Sequence, residues 1–195
     1  MTRILGIDPS LTGTGLALVD TDDHLVIPTW TIATTGKADA DLLDRHERIN
    51  DIAGQVYNTA MGFGPGGNQH PRELPVDLAV IEAPSLAQKS QRGTLDRHGL
   101  WWTVVSQLIS ITTVIQIPPT TRAKYATGNG GAGKDAVLLA VAKRYPHVDI
   151  TDNNQADALV LAAIGAHLAG HPIDELPKSH LDALAKVTRP QGWAA

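Results

Sequence analysis

The first 33 residues constrain the fold more than any other part of the chain. They hold three strand-like runs, "RILGID" (3–8), "TGLALVD" (14–20) and "LVIPTWTIA" (25–33). The link "PSLTGTG" between the first two carries two glycines and is far too short for a crossover helix, so these runs pair as an antiparallel hairpin. Pro28 cannot donate to a ladder, which puts the third run near a sheet edge or at a bulge. The pattern then changes. Leu42, Ile49, Ile52, Val56 and Ala60 fall at helical spacing and predict an amphipathic helix over 39–60. "GFGPGGNQHPRELP" (62–75) reads as a loop. "VDLAVIEAP" (76–84) is a strand, 93–109 a helix, and "ITTVIQI" (111–117) a strand stopped by Pro118-Pro119. Helices are predicted at 119–126, 134–144 and 153–169, with a weaker one at 174–187. A hairpin followed by alternating helices and strands makes an α/β layout with a mixed sheet.

Composition narrows the class. A chain of 195 residues suits one domain with a substantial core, read here as residues 1–170, with 171–195 as a helical extension and tail. Cysteine is absent, which excludes disulfides and thiolate metal sites and fits the cytoplasm. Met1 leads almost directly into a strand-like run, so no secretory leader is expected, and no apolar run approaches the roughly 20 residues that span a bilayer. The formal charge of −4 argues against coating nucleic acid non-specifically. Acids crowd between 20 and 51, while basic residues gather in 89–97 and 122–144, which leaves room for one local basic face.

Three carboxylates carry the chemistry. Asp8 closes the first strand, Glu82 closes a later one, and Asp157 sits early in the apolar helix "NQADALVLAAIG". Each is flanked by apolar residues, where an unpaired charge is costly. Any one of them alone reads as a strand end or a cap. If the two strands are neighbours, Asp8 and Glu82 leave the same end of the sheet, and a helix across that end brings in Asp157. Three carboxylates repel unless something positive holds them. Mg²⁺ is a hard cation suited to carboxylate and phosphate oxygens, with Mn²⁺ as its substitute. Two such ions roughly 4 Å apart can clamp a scissile phosphate and activate water. The chemistry suggested is metal-assisted phosphodiester hydrolysis.

"GNGGAGKD" (128–135) fits the glycine and lysine spacing of a phosphate-binding P-loop. That motif needs a strand before it and a hydroxyl after the lysine. Here a helix precedes it and Asp135 follows, where it favours the positive end of a helix dipole. No nucleotide cofactor is expected. The loop still offers backbone N–H groups and Lys134 to a nucleic-acid phosphate.

In order and spacing, "GIDPSLTGTGLA", "VIEAPS", "TGNGGAGKDAV" and "QADALVLA" resemble the RuvC-type Holliday-junction resolvases of the RNase H-like superfamily over most of residues 3–169. The resemblance implies an RNase H-like five-stranded mixed sheet with helices on both faces, a homodimer, divalent metal, and nicking of four-way and other branched DNA. It maps the catalytic acids onto Asp8, Glu82 and Asp157, and gives Lys134 a place near the scissile phosphate. Family members often carry a fourth acid three residues before the last. Here Asn154 stands there and offers an amide oxygen to a metal. Asp152, the alternative, reads better as a helix cap, with Gln155 reaching back in a capping box.

"PSLAQKSQRGTLDRHGLWW" (84–102) follows Glu82 and is basic, so Lys89, Arg92 and Arg97 are candidate DNA contacts, as are Arg122 and Lys124 on the other basic stretch. A solvated helix start is the plainer reading of such a run. Resolvases often place an aromatic wedge after the acid; Leu86 takes that place here and is a candidate apolar wedge. At least one of Trp101 and Trp102 is expected in the core or at a dimer contact. His167 and His171 have helical spacing but no third ligand nearby, so surface histidines are expected. Two rival functions remain: an actin-like ATPase, for which the chain is short, and a non-catalytic junction-binding protein on the same fold, which the amide of Asn154 keeps open.

Overall fold

Alternation along the strands decides how the layers form. The protein is described by a computed structural model over residues 2–23, 27–64, 75–84 and 93–188. Among these residues five strands build one sheet: β1 (Arg3–Asp8), β2 (Gly13–Asp20), β3 (Thr29–Ala33), β4 (Leu78–Glu82) and β5 (Thr113–Ile117). Their order is β3-β2-β1-β4-β5. β1 pairs antiparallel with β2, and β2 with β3, as the short links require. β1 with β4, and β4 with β5, are parallel. Those two crossovers run through α1 (Leu42–Ala60) and α2 (Thr94–Ile109). β3 is an edge strand, which accounts for Pro28 just before it.

Side chains of successive strand residues face opposite ways. Leu5, Ile7, Leu16, Leu18, Ala79 and Ile81 turn to α1 and α2, where they meet Ile52, Val56, Leu100, Val104 and Leu108. Ile4, Ala17, Val19, Leu78, Val80 and Ile115 turn the other way. There they meet α3 (Pro119–Thr127), α4 (Lys134–Arg144) and α5 (Asn153–Leu168). Helices therefore cover both faces, as expected.

α5 lies deepest. Residues 155–166 are buried on every side of the helix, so it reads as apolar all round rather than amphipathic. It can approach the sheet because the sheet offers glycine. A Cβ placed on Gly6 would lie 2.6 Å from Ala162 N and nearer still to Ala158 O. One on Gly15 would collide with the backbone of Asn154. α3 starts with Pro119 in its first turn, where the missing N–H costs nothing, and ends at Gly128 with φ 79°.

The tail differs from its predicted single helix over 174–187. It forms the short α6 (Lys178–Leu181) and a 3-10 turn, Leu184–Lys186. Pro177 explains the late start. The segment is tied down by side chains: Tyr145 Oη donates to Asp174 Oδ2 at 2.6 Å, and His180 Nδ1 meets Tyr125 O at 2.8 Å. Ala183 joins the same buried cluster as α5. Among the described residues no helix is long and apolar enough to cross a membrane.

Candidate active site

Register and alternation together assemble the acids. Ile7 sits opposite Ile81 in the parallel β1–β4 pair, so Asp8 and Glu82 end neighbouring strands side by side. Both share the parity of Ile4 and Val80, the residues that face α5. α5 crosses that face in close contact with β1 and β2, and its second turn presents Asp157. Asp8 and Asp157 are buried, and Asp157 is only 2% exposed.

The positive partner lies within the fold. Arg122 on α3 is 7% exposed, and its guanidinium donates through Nε to Glu82 and through Nη1 to Asp157. This corrects the expected surface role of Arg122. Tyr125 and Ala126 on the same helix pack into the core and turn Arg122 inward, so its charge meets carboxylates rather than solvent phosphates. Burial works against the Arg122 charge, but Glu82 and Asp157 outweigh it and hold its pKa above the usual value. One guanidinium does not satisfy three acids. Burial, then repulsion from Glu82 and Asp157, pushes Asp8 up to about 7, against the pull of Arg122 and Lys134. Asp157 rises to about 6, with burial the largest cause and Arg122 opposing it.

The sign of the linkage follows. Both acids bind protons more tightly folded than unfolded, so their contribution to stability is full below the unfolded pKa near 3.8 and is lost as pH rises through 6 to 7. Measured against Asp8→Asn as the reference, the metal-free protein should lose about 5 °C or more in Tm between pH 5 and pH 8. Added Mg²⁺ should flatten that slope. Equal slopes for the two proteins would show that the pocket does not strain its acids.

Asp8 and Glu82 open onto a cleft also lined by Pro9, Thr94, Arg97, His98 and Trp101. Trp101 Nε1 donates to Glu82 O at 2.8 Å and fixes the end of β4; its ring is buried, as expected of one member of the pair. Sequence reading did not foresee that bond; His98 belongs to the stretch 84–102 that it read as meeting DNA. Arg97 lines the same cleft as Asp8 and Glu82. Lys134 is exposed at the first position of α4, and its charge lowers the pKa of both Asp8 and Asp157. Lys124 is half-buried on α3 near the glycine loop. Lys89, Arg92 and Leu86 fall outside the described residues.

Asp152 is the cap of α5: Oδ1 accepts from Gln155 N at 2.9 Å and Oδ2 from Thr31 Oγ1 at 2.6 Å. Gln155 reaches back one residue further than a capping box predicts, accepting from Thr151 N at 3.0 Å. Asn154 lies over β2, with its Nδ2 2.9 Å from the Cβ that Gly13 lacks. His167 packs edge-on against Tyr125, with ring centroids 6.3 Å apart.

The donor chemistry fits a hard divalent cation, since crowded, desolvated carboxylates with raised pKa values are relieved by one. The geometry fits only in part. Among the described residues no three Asp, Glu or His side chains converge as a metal cage. Glu82 and Asp157 are turned onto Arg122 instead.

No family model matches the chain. The crossover junction endodeoxyribonuclease RuvC of Paracidovorax citrulli is 30% identical over 167 residues, covering 85% of this chain and 84% of the relative. The RuvC of the Wolbachia of Brugia malayi is 29% identical over 167 residues, covering 83% and 92%. The Thermus thermophilus RuvC structure superposes with a TM-score of 0.62 at 18% identity, covering 87% of this chain and 98% of its own. The same protein in complex with Holliday junction substrate gives 0.60 at 17%. Both superpositions share this chain's sheet-and-helix framework.

Proposed function

The chain belongs to the RuvC family of crossover junction endodeoxyribonucleases, and from that membership we propose that it is a metal-dependent endonuclease that cuts four-way DNA junctions through Asp8, Glu82 and Asp157. The observation that supports this reading is that Glu82 and Asp157 pair with one buried arginine while Asp8, on the neighbouring strand, opens with Glu82 onto a solvent cleft.

The roles follow from placement. Asp8 faces the cleft and is the most strained of the acids, so it has the most to gain from a cation. Glu82 is held by its own backbone through Trp101, which fixes the end of β4 that carries its carboxylate. Mg²⁺, bound on these acids, would supply Lewis-acid stabilisation and an activated water. Lys134, whose charge is felt by Asp8 and Asp157, would steady the scissile phosphate. Arg97 lines the cleft where the DNA backbone would pass. Asn154 would offer the same cation an amide oxygen, a weaker ligand than a carboxylate.

The test is a synthetic four-way junction incubated with the protein and Mg²⁺, with EDTA as control. Cation-dependent nicks are expected. Tight binding with no cutting in Mg²⁺ or Mn²⁺ would instead establish the non-catalytic reading.

A second copy of the chain is the proposed partner. On α2, Leu95, Trp102 and Ile109 are exposed at spacings of seven, Trp102 at 62%, so they form one stripe along the helix. A two-fold contact through this stripe would set two acid clusters against a symmetric substrate. Trp102→Glu should convert dimers to monomers in light scattering and replace paired nicks by single ones. A variant that stays dimeric removes this face from consideration.

A further inference from the structure

We propose that Arg122 holds the place of a second divalent cation, so that the site takes one ion per protomer rather than two. The inference rests on the nuclease reading above and concerns how that site is charged.

The position is built, not incidental. Arg122 sits at the core, on a helix anchored by buried Tyr125 and Ala126, and bridges Glu82 to Asp157. A guanidinium cannot leave by losing its proton at working pH, and its rigid fork suits two carboxylates at once. Withdrawing it would strand an unpaired charge in the interior, which is strongly unfavourable. Metal-free, the arginine is therefore the standing counterion of Glu82 and Asp157. Asp8, by contrast, has no ion pair with it and faces the cleft, where an incoming ion arrives.

Charge gives the same count. Asp8, Glu82 and Asp157 bring three negative charges when ionised, and Asn154 adds none. Arg122 offsets one, and a single divalent ion offsets the other two. A second ion would add two positive charges beside a guanidinium it must displace. That repulsion and the lost pairing oppose it together. The lack of any three-carboxylate cage among the described residues is the geometric face of the same fact. In the reaction Arg122 would then do what the second ion does elsewhere. It would hold Glu82 and Asp157 in register and offset part of their charge, without itself binding water.

The experiment counts ions rather than turnover. Mn²⁺ is titrated into the full-length chain and free Mn²⁺ is read by EPR, for wild type, Arg122→Gln and Arg122→Lys. Wild type and Arg122→Lys should bind about one ion per protomer. Arg122→Gln should bind a second, with the spin-coupled signal of a close pair, and its first site should tighten about tenfold or more. Circular dichroism with and without Mn²⁺ checks folding; a fold of Arg122→Gln that is regained only with Mn²⁺ supports the same exchange of cation for arginine. Two ions in a wild-type chain that cuts junctions overturn this inference and leave the nuclease reading intact. A single unchanged site in folded Arg122→Gln overturns it as well. Binding of one ion with no cutting at all overturns the nuclease reading on which it rests.

Discussion

Asp8→Asn should abolish junction cutting by about three orders of magnitude or more while leaving junction binding near wild type. The change keeps the shape of a buried side chain and removes only its charge. On the proposed mechanism cutting would need that charge, since Asp8 lines the cleft and has no ion pair with Arg122. Stability should move the opposite way. Asp8 is held up to about 7 by burial and by repulsion from Glu82 and Asp157, so at pH 8 its ionised form strains the metal-free fold. The amide relieves that strain, and the melting temperature without metal should rise. Loss of activity with a gain of stability is a signature that misfolding cannot imitate. Glu82→Gln and Asp157→Asn should also be inactive, but each leaves Arg122 short of a partner and should destabilise the fold. An Asp8→Asn protein that cuts at even a tenth of the wild-type rate would remove Asp8 from the chemistry.

Gly6→Ala, like Gly15→Ala, should be among the most damaging single-methyl changes in the sheet. The new Cβ would sit 2.6 Å from Ala162 N and closer to Ala158 O, and both are backbone atoms of a helix that cannot rotate aside. α5 must lift off β1. Overpacking of this kind costs roughly 1–3 kcal/mol and at backbone contacts more, or about 3–10 °C in Tm for a domain of this size. Because α5 also carries Asp157, the lift should separate that acid from Asp8, so cutting should fall further than the fraction of folded protein does. Gly54, whose Cβ would meet nothing within 4 Å, is the control: Gly54→Ala on α1 should be neutral or stabilising. Equal melting temperatures for the two variants would mean the helix–sheet contact is looser than described.

Much of this was written locally. The links around residues 9–12 forced a hairpin, and the helical spacing of Ile49, Ile52 and Val56 fixed a helix whose observed end is Ala60. Pro28 announced an edge strand. Asp8 and Glu82 were legible as a pair because strand ends and alternation are period-two properties of short segments. That at least one of Trp101 and Trp102 would be in the core or at a dimer contact was legible, but not which one, nor that Trp101 donates to Glu82 O. The tail was misjudged because its helix propensity is weak and its conformation is set by distant partners, Asp174 with Tyr145 and His180 with Tyr125.

Arg122 marks the boundary most clearly. By composition it belonged with Lys124 and Lys134 in a basic stretch, and nothing in its neighbours separates a DNA contact from a buried counterion. What the chain determined by itself was the kind and order of its elements, and which end of the sheet would be acidic, since hydrogen-bond periodicity and turn length act over a few residues. What only the tertiary structure decided was which charge met which. An ion pair between residues 35 and 40 positions apart depends on how α3 and α5 settle on the sheet, and burial then makes that choice costly to reverse.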